Sequence, residues 1–117
     1  MNKASYNTKI FDAYCKDMRL PEPVYEHQHI PLRKFRCDIA WPKFKVGIEV
    51  EGGIYARSRM GHSTGASIEK DMEKNNLALM NGWQVLRVMP EDLIKANTII
   101  MVRALMFRAS YPPQEGE

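Results

Sequence analysis

The stretch from Phe35 to Gly53, FRCDIAWPKFKVGIEVEGG, constrains the chain more than any other. From Phe35 to Trp41 apolar residues alternate with others: Phe35, Cys37, Ile39 and Trp41 share one side, and Arg36, Asp38 and Ala40 take the other. A break at Pro42-Lys43-Phe44-Lys45 follows, and alternation resumes with Val46, Ile48 and Val50 against Gly47, Glu49 and Glu51. Period two with one apolar side is the signature of a strand, and two such runs joined tightly predict a β-hairpin. A turn centred between Lys43 and Phe44 sets Asp38 directly opposite Glu49, with Glu51 two residues along the same face.

Such a face is costly. Like charges opposite one another destabilise a sheet, and neighbouring carboxylates raise each other's pKa. A divalent cation would offset the repulsion, because hard ions such as Mg²⁺ and Mn²⁺ take carboxylate, water and phosphate oxygens. A solvated acidic strand face is the plain alternative. His27 and His29 with Cys37 could suggest zinc, but they lack a recognisable ligand spacing.

An acid on one strand, a short loop, then Glu-x-Glu on the next strand followed by Gly-Gly resembles the PD-(D/E)XK nuclease superfamily. More narrowly, the chain is similar to small phage and bacterial proteins related to very-short-patch mismatch endonucleases and Holliday-junction resolvases. The resemblance runs from about Val24 to Pro90. It takes in Glu26 on a preceding strand, Gly61-His62, the Glu-Lys-Asp-x-x-Lys-Asn segment from Glu69 to Asn75, and Gly-Trp-x-Val-Leu-Arg-Val from Gly82 to Val88. It implies a restriction-endonuclease-like sheet and a metal-dependent endonuclease acting on DNA. Asp38 and Glu49 would hold Mg²⁺ or Mn²⁺, with Glu51 and Glu26 completing or tuning the shell. His62 matches a histidine recurrent in the family, and an imidazole beside a phosphate can act as general acid or base. The family's usual lysine follows the second acid by two residues, where this chain has Glu51. The resemblance therefore implies a helix lysine in that role, with Lys70 and Lys74 both candidates. A catalytically inactive DNA-binding or protein-interaction module on the same scaffold is the second reading.

At 117 residues the chain has room for one domain, residues 1–117, and one principal core. Its net charge of +3 is modest, but residues 1–45 carry nine Lys/Arg against five acids, and the remainder eight against nine. Arg33, Lys34 and Arg36 concentrate the excess beside the hairpin, a patch suited to phosphates. Lysine guarding an exposed strand edge would give the same composition. No apolar run approaches a membrane span, and the N-terminus lacks the apolar core of a secretory signal. Cys15 and Cys37 read as buried thiols of a cytoplasmic protein.

The remaining elements are punctuated clearly. Tyr6, Ile10, Tyr14 and Met18 at four-residue spacing predict an amphipathic helix over about residues 3–19, ended by Pro21 and Pro23. Val24 to Ile30 predicts a strand. Residues 54–67 form a polar, glycine-punctuated loop in which Arg57, Arg59 and His62 are candidates for meeting phosphate. Ser67 to Asn81 predicts a second helix, capped by Ser67, burying Ile68, Met72 and Leu79 with Leu77 and Met80 nearby, and stopped at Gly82. Trp83 to Met89 predicts a strand. Pro90 then opens a third helix with a stripe of Leu93, Ile100, Ala104 and Phe107, widened by Ile99, Val102 and Met106, apolar enough to support a homodimer. The order α-β-β-β-α-β-α predicts an α/β (or α+β) mixed sheet with helices packed upon it.

Overall fold

The computed structural model describes residues 6–51 and 65–110. Within them the expected order holds: α1 (Thr8–Asp17), β1 (Val24–His27), β2 (Cys37–Trp41), β3 (Val46–Val50), α2 (Gly65–Met80), β4 (Gln84–Val88) and α3 (Ala96–Ser110). The four strands form one mixed sheet in chain order, with β1-β2 and β2-β3 antiparallel and β3-β4 parallel. Parallel pairing demands a crossover rather than a hairpin, and the chain between β3 and β4 includes α2.

Residues 42–45 make the hairpin turn, closed by Phe44 N–H donating to Trp41 O and Lys45 N–H to Pro42 O. The register is Ile39↔Ile48, Ala40↔Gly47 and Trp41↔Val46. One step further along it stands Asp38 opposite Glu49, as the turn position required. Ile39, Trp41, Val46, Ile48 and Val50 point to the principal core, where they meet Phe11 and Cys15 of α1 and Ile99, Val102 and Met106 of α3. Ala40 faces the other way, into a smaller cluster with Ile30, Cys37, Ala78 of α2 and Trp83. Helices α1 and α3 thus cover one side of the sheet and α2 the other.

Cys37 departs from simple alternation. It belongs with Ile39 by parity, yet it packs in the α2-side cluster, and its paired residue His27 lies against Trp83 at 5.6 Å. The reversal falls between the pairs Tyr25↔Ile39 and His27↔Cys37, the step occupied by Glu26 and Asp38. Glu26 has φ +50°, a left-handed conformation that redirects the strand within one residue.

The helices differ in phase from the expected stripes. In α1 the buried positions are Phe11 and Cys15, and Ile10 is exposed; Tyr14 and Met18 pack alongside, so the inward face is 11, 14, 15, 18. Asn7 caps this helix, its side-chain oxygen accepting from the Lys9 and Ile10 amides. Helix α2 begins at Gly65, so Ser67 lies inside it and is not its cap. Its one buried residue is Ala78, with Leu77 packed beside it on the smaller core, and Ile68, Met72, Leu79 and Met80 are exposed, because much of the inward face is given to polar contacts described below. Gly82, at φ +82°, ends it as expected, with Trp83 N–H reaching back to Ala78 O. Pro90 opens only a 3₁₀ turn, Pro90–Asp92; the helix proper starts at Ala96 and buries Thr98, Ile99, Val102 and Met106, leaving Ile100 and Phe107 exposed. Among the described residues no helix is long and apolar enough to cross a membrane.

The hairpin closes over Gly47, where an added Cβ would stand 2.4 Å from Cys37 Sγ and 3.1 Å from Ile39 O. Gly47→Ala should therefore cost about 1–3 kcal/mol in urea denaturation, as overpacking does. Removing the obstructing sulfur should return part of that loss, so Gly47→Ala with Cys37→Ala should be less destabilised than the sum of the single variants.

Candidate active site

The sheet brings its acids into one row. Continuing the strand registers sets Glu26 beside Asp38 and Asp38 beside Glu49, and Glu49 pairs with Arg87 of β4. Adjacent strands lie about 4.8 Å apart, so the row is a contiguous ionic strip. It crosses the C-terminal ends of β1, β3 and β4 and the start of β2. Asp38 and Glu49 are buried, at 2% and 7% exposure. Glu26 is exposed at the edge.

Burying two carboxylates requires compensation. Asp38 Oδ2 accepts the Val50 amide at 2.8 Å, so a side chain fills a place in the ladder that backbone would otherwise take. Glu49 Oε2 meets Lys74 Nζ at 2.5 Å, and both side chains are largely withdrawn from solvent. Lys74 stands one turn before Ala78, the α2 residue seated in the smaller core, so the same face that anchors the helix delivers the ammonium. Lys70 lies a further turn away and is exposed. Of the two lysines the sequence left open, Lys74 is the one the fold brings to the acids.

Glu51 takes a different part. Arg87 grips it bidentately, both nitrogen–oxygen distances being 3.1 Å, and also holds Asp71 of α2 at 2.9 Å. These hydrogen bonds, that to Glu51 foremost, raise the Arg87 pKa. The planar guanidinium suits such a fork, tying the end of β3 to β4 and to α2. Among the basic candidates, Arg33 is committed to Glu73 of α2 at 2.8 Å, and Lys34 and Arg36 are exposed. Gly53, Arg57, Arg59, Gly61 and His62 lie outside the described residues.

Two side chains outside the expected acid-and-lysine set belong here. Tyr6, which the helical spacing assigned to the core, is half-buried with its hydroxyl in the field of the acid row. Burial raises its pKa, and Asp38 and then Glu26 raise it further. Nothing in one tyrosine before a helix announces this. His29 is 5% exposed, meets Trp83 edge-on at 5.5 Å, and has an Nδ1 with no hydrogen-bond partner among the described residues. Burial, and then the Lys74 ammonium, lower its pKa and hold the ring neutral. Cys37 beside them is pushed up to about 12 by burial first and by Glu49 next, so it stands as a neutral thiol.

The donor set of the strip is oxygen only, Asp38 and Glu49 with Glu26 at its border, and that chemistry fits a hard divalent cation. Among the described residues no three His, Cys, Asp or Glu side chains are gathered closely enough to form a metal-ligand group. Comparison of the chain with protein-family models, curated proteins and solved structures found no match.

Lys74→Met should destabilise the protein by about 3 kcal/mol, because it leaves Glu49 buried without its counter-charge. Lys74→Met with Glu49→Gln should recover most of that loss in thermal or urea denaturation. For His29 the sign follows from its lowered pKa. The unfolded chain binds a proton near pH 6.5 and the buried ring does not, so stability falls as pH drops below that value. His29→Phe keeps a ring against Trp83 and should flatten the decline in melting temperature between about pH 6.5 and 5.

Proposed function

We propose that the chain is a metal-dependent endodeoxyribonuclease that hydrolyses phosphodiester bonds, of the PD-(D/E)XK kind, processing or repairing DNA in a bacterial or phage-infected cell. The observation that carries this reading is the buried Asp38–Glu49 pair on facing strands, with the Lys74 ammonium 2.5 Å from Glu49. The row supplies an aspartate and a glutamate at one end of the sheet and α2 brings a lysine to them, the set that the sequence resemblance calls for. Lys74 answers the departure at Glu51: the cation comes from α2 instead of β3, and Glu51 serves Arg87.

In this reading Asp38 and Glu49 hold Mg²⁺ or Mn²⁺. When bound, such an ion lowers the pKa of a coordinated water and offsets charge gathering on the phosphate. The Val50 amide fixes one Asp38 oxygen and so orients the carboxylate. Lys74, largely withdrawn from water, adds positive charge that solvent screens little. Glu26 borders Asp38 and would tune its charge.

A second reading has an observation of its own. Lys74 already neutralises Glu49, and Glu51 is committed to Arg87. A scaffold stabilised in this way without metal would serve as a DNA-binding module that does not cut.

Cleavage of plasmid, single-stranded, four-way-junction and mismatched DNA, each with Mg²⁺, Mn²⁺ or chelator, separates the two. The nuclease should cut only with metal, and Asp38→Ala or Glu49→Ala, shown folded by circular dichroism, should lose at least about a hundredfold in rate. Wild-type cutting by either variant would remove these residues from the site. DNA binding without cutting under every condition would favour the module.

A further inference from the structure

Lys74 and Arg87 are the cations that the structure brings to the acid row, and both are committed: Lys74 to Glu49, Arg87 to Glu51 and Asp71. The Val50 amide is spent on Asp38. A phosphodiester reaching this end of the sheet therefore meets donors already engaged by carboxylates. Tyr6 is the exception. Its ring is half-buried, and its hydroxyl donates to no other described residue.

The chain fixes this phenol in three ways. Tyr6 directly precedes Asn7, whose side-chain oxygen caps α1 by accepting the Lys9 and Ile10 amides. Its ring packs against the principal core. The first turn of α1 is tied to β1 by the Tyr25 hydroxyl, which lies 3.1 Å from Thr8 O and 2.6 Å from Asp12 Oδ1. Tyr25 is the neighbour of Glu26, and it pairs with Ile39, the neighbour of Asp38. This strut sets the start of α1 beside the step where Glu26 and Asp38 stand, and Tyr6 shares their field. Tyr25 cannot serve a ligand itself, because a hydroxyl has one proton to donate and this one is committed to α1. Tyr6 approaches from the α1 side of the sheet and Lys74 from the α2 side, so the row lies between a neutral donor and a cation.

We propose that Tyr6 is a further catalytic residue, its hydroxyl donating a hydrogen bond to a non-bridging oxygen of the scissile phosphate held at the Asp38–Glu49 pair. This deepens the nuclease reading and rests on it. Charge spreads over the non-bridging oxygens as water attacks phosphorus, so a fixed donor aimed at them is worth more in the transition state than before it. A phenol suits the place because it adds no charge to the ion pairs around it. Burial first, and then Asp38 and Glu26, raise its pKa, so it stays protonated and does not act as the base that activates water.

The test compares the wild type with Tyr6→Phe on the DNA that the wild type cuts fastest. Phenylalanine keeps the ring on the core, so the melting temperature should stay within about 3 °C. The kcat should fall about thirtyfold, with KM changed less than about threefold. A second readout does not depend on cutting. In full-length protein labelled with 3-fluorotyrosine, the fluorine resonance that Tyr6→Phe removes should move when the same DNA is added with Ca²⁺ in place of Mg²⁺. Wild-type kcat in Tyr6→Phe, or a resonance indifferent to DNA, would overturn the assignment and leave the nuclease reading standing. A fall in kcat accompanied by a loss of more than about 8 °C in melting temperature would make the effect structural and overturn it as well. A wild type that cuts no DNA would end both.

Discussion

Two carboxylates buried on facing strands are the constraint that the rest of the molecule answers. Asp38 and Glu49 stand one step beyond the Ile39↔Ile48 pair, too far inside the protein for water to screen their repulsion. Each is met by a different device. A backbone amide, Val50, takes Asp38, so that the ladder itself contributes a donor. An ammonium carried on α2 takes Glu49. The second device places a demand on the helix: the face that meets the sheet cannot be wholly apolar. That explains why α2 buries only Ala78 and why ion pairs join its apolar contacts: Asp71 reaches Arg87 and Lys74 reaches Glu49 on the sheet, and Glu73 reaches Arg33 in the connection before β2.

The ionic face has a cost in docking energy, since exposed pairs contribute little. The compensation comes from ends rather than from the middle of the helix. Trp83, immediately after the Gly82 stop, turns back to bond Ala78 and fills the smaller core with His27 and His29 against its ring. The principal core, on the opposite side of the sheet, is conventional and carries most of the apolar burial. The molecule thus divides its labour by side: α1 and α3 stabilise the sheet, and α2 services its charged row.

Much of this was legible in the sequence, and the reasons differ by element. The hairpin register could be read because Pro42 to Lys45 leaves one centre for the turn, and period two then decides every partner. The stops at Gly82 and before Pro21 were equally plain. The helix phases were not. Of four-spaced Tyr6, Ile10, Tyr14 and Met18, three pack on the core and Ile10 does not, because the inward face is centred on Phe11 and Cys15, which pair in a 3,4 spacing with Tyr14 and Met18. In α2 most apolar residues mislead because Ala78 and Leu77 share the inward face with charged groups. Periodicity of hydrophobicity cannot reveal a helix that docks through ion pairs.

The choice between Lys70 and Lys74 shows where local pattern gives out. Both stand on one helix face at four-residue spacing, and each has acidic neighbours on the helix to satisfy it. What separates them is Ala78, whose small side chain lets α2 approach the sheet and fixes which turn lies above Glu49. The kink at Glu26 is of the same kind. Its positive φ breaks alternation on β1, and the paired step of β2 changes face with it, so that Cys37 and His27 lie on the α2 side while Tyr25 and Ile39 stay on the other. The acid row therefore lies where the sheet changes face, within the field of Tyr6 and beside Lys74. A row so placed is compensated from α2 and sensed from the α1 side, an arrangement that neither an evenly alternating strand nor an acidic solvent face would produce.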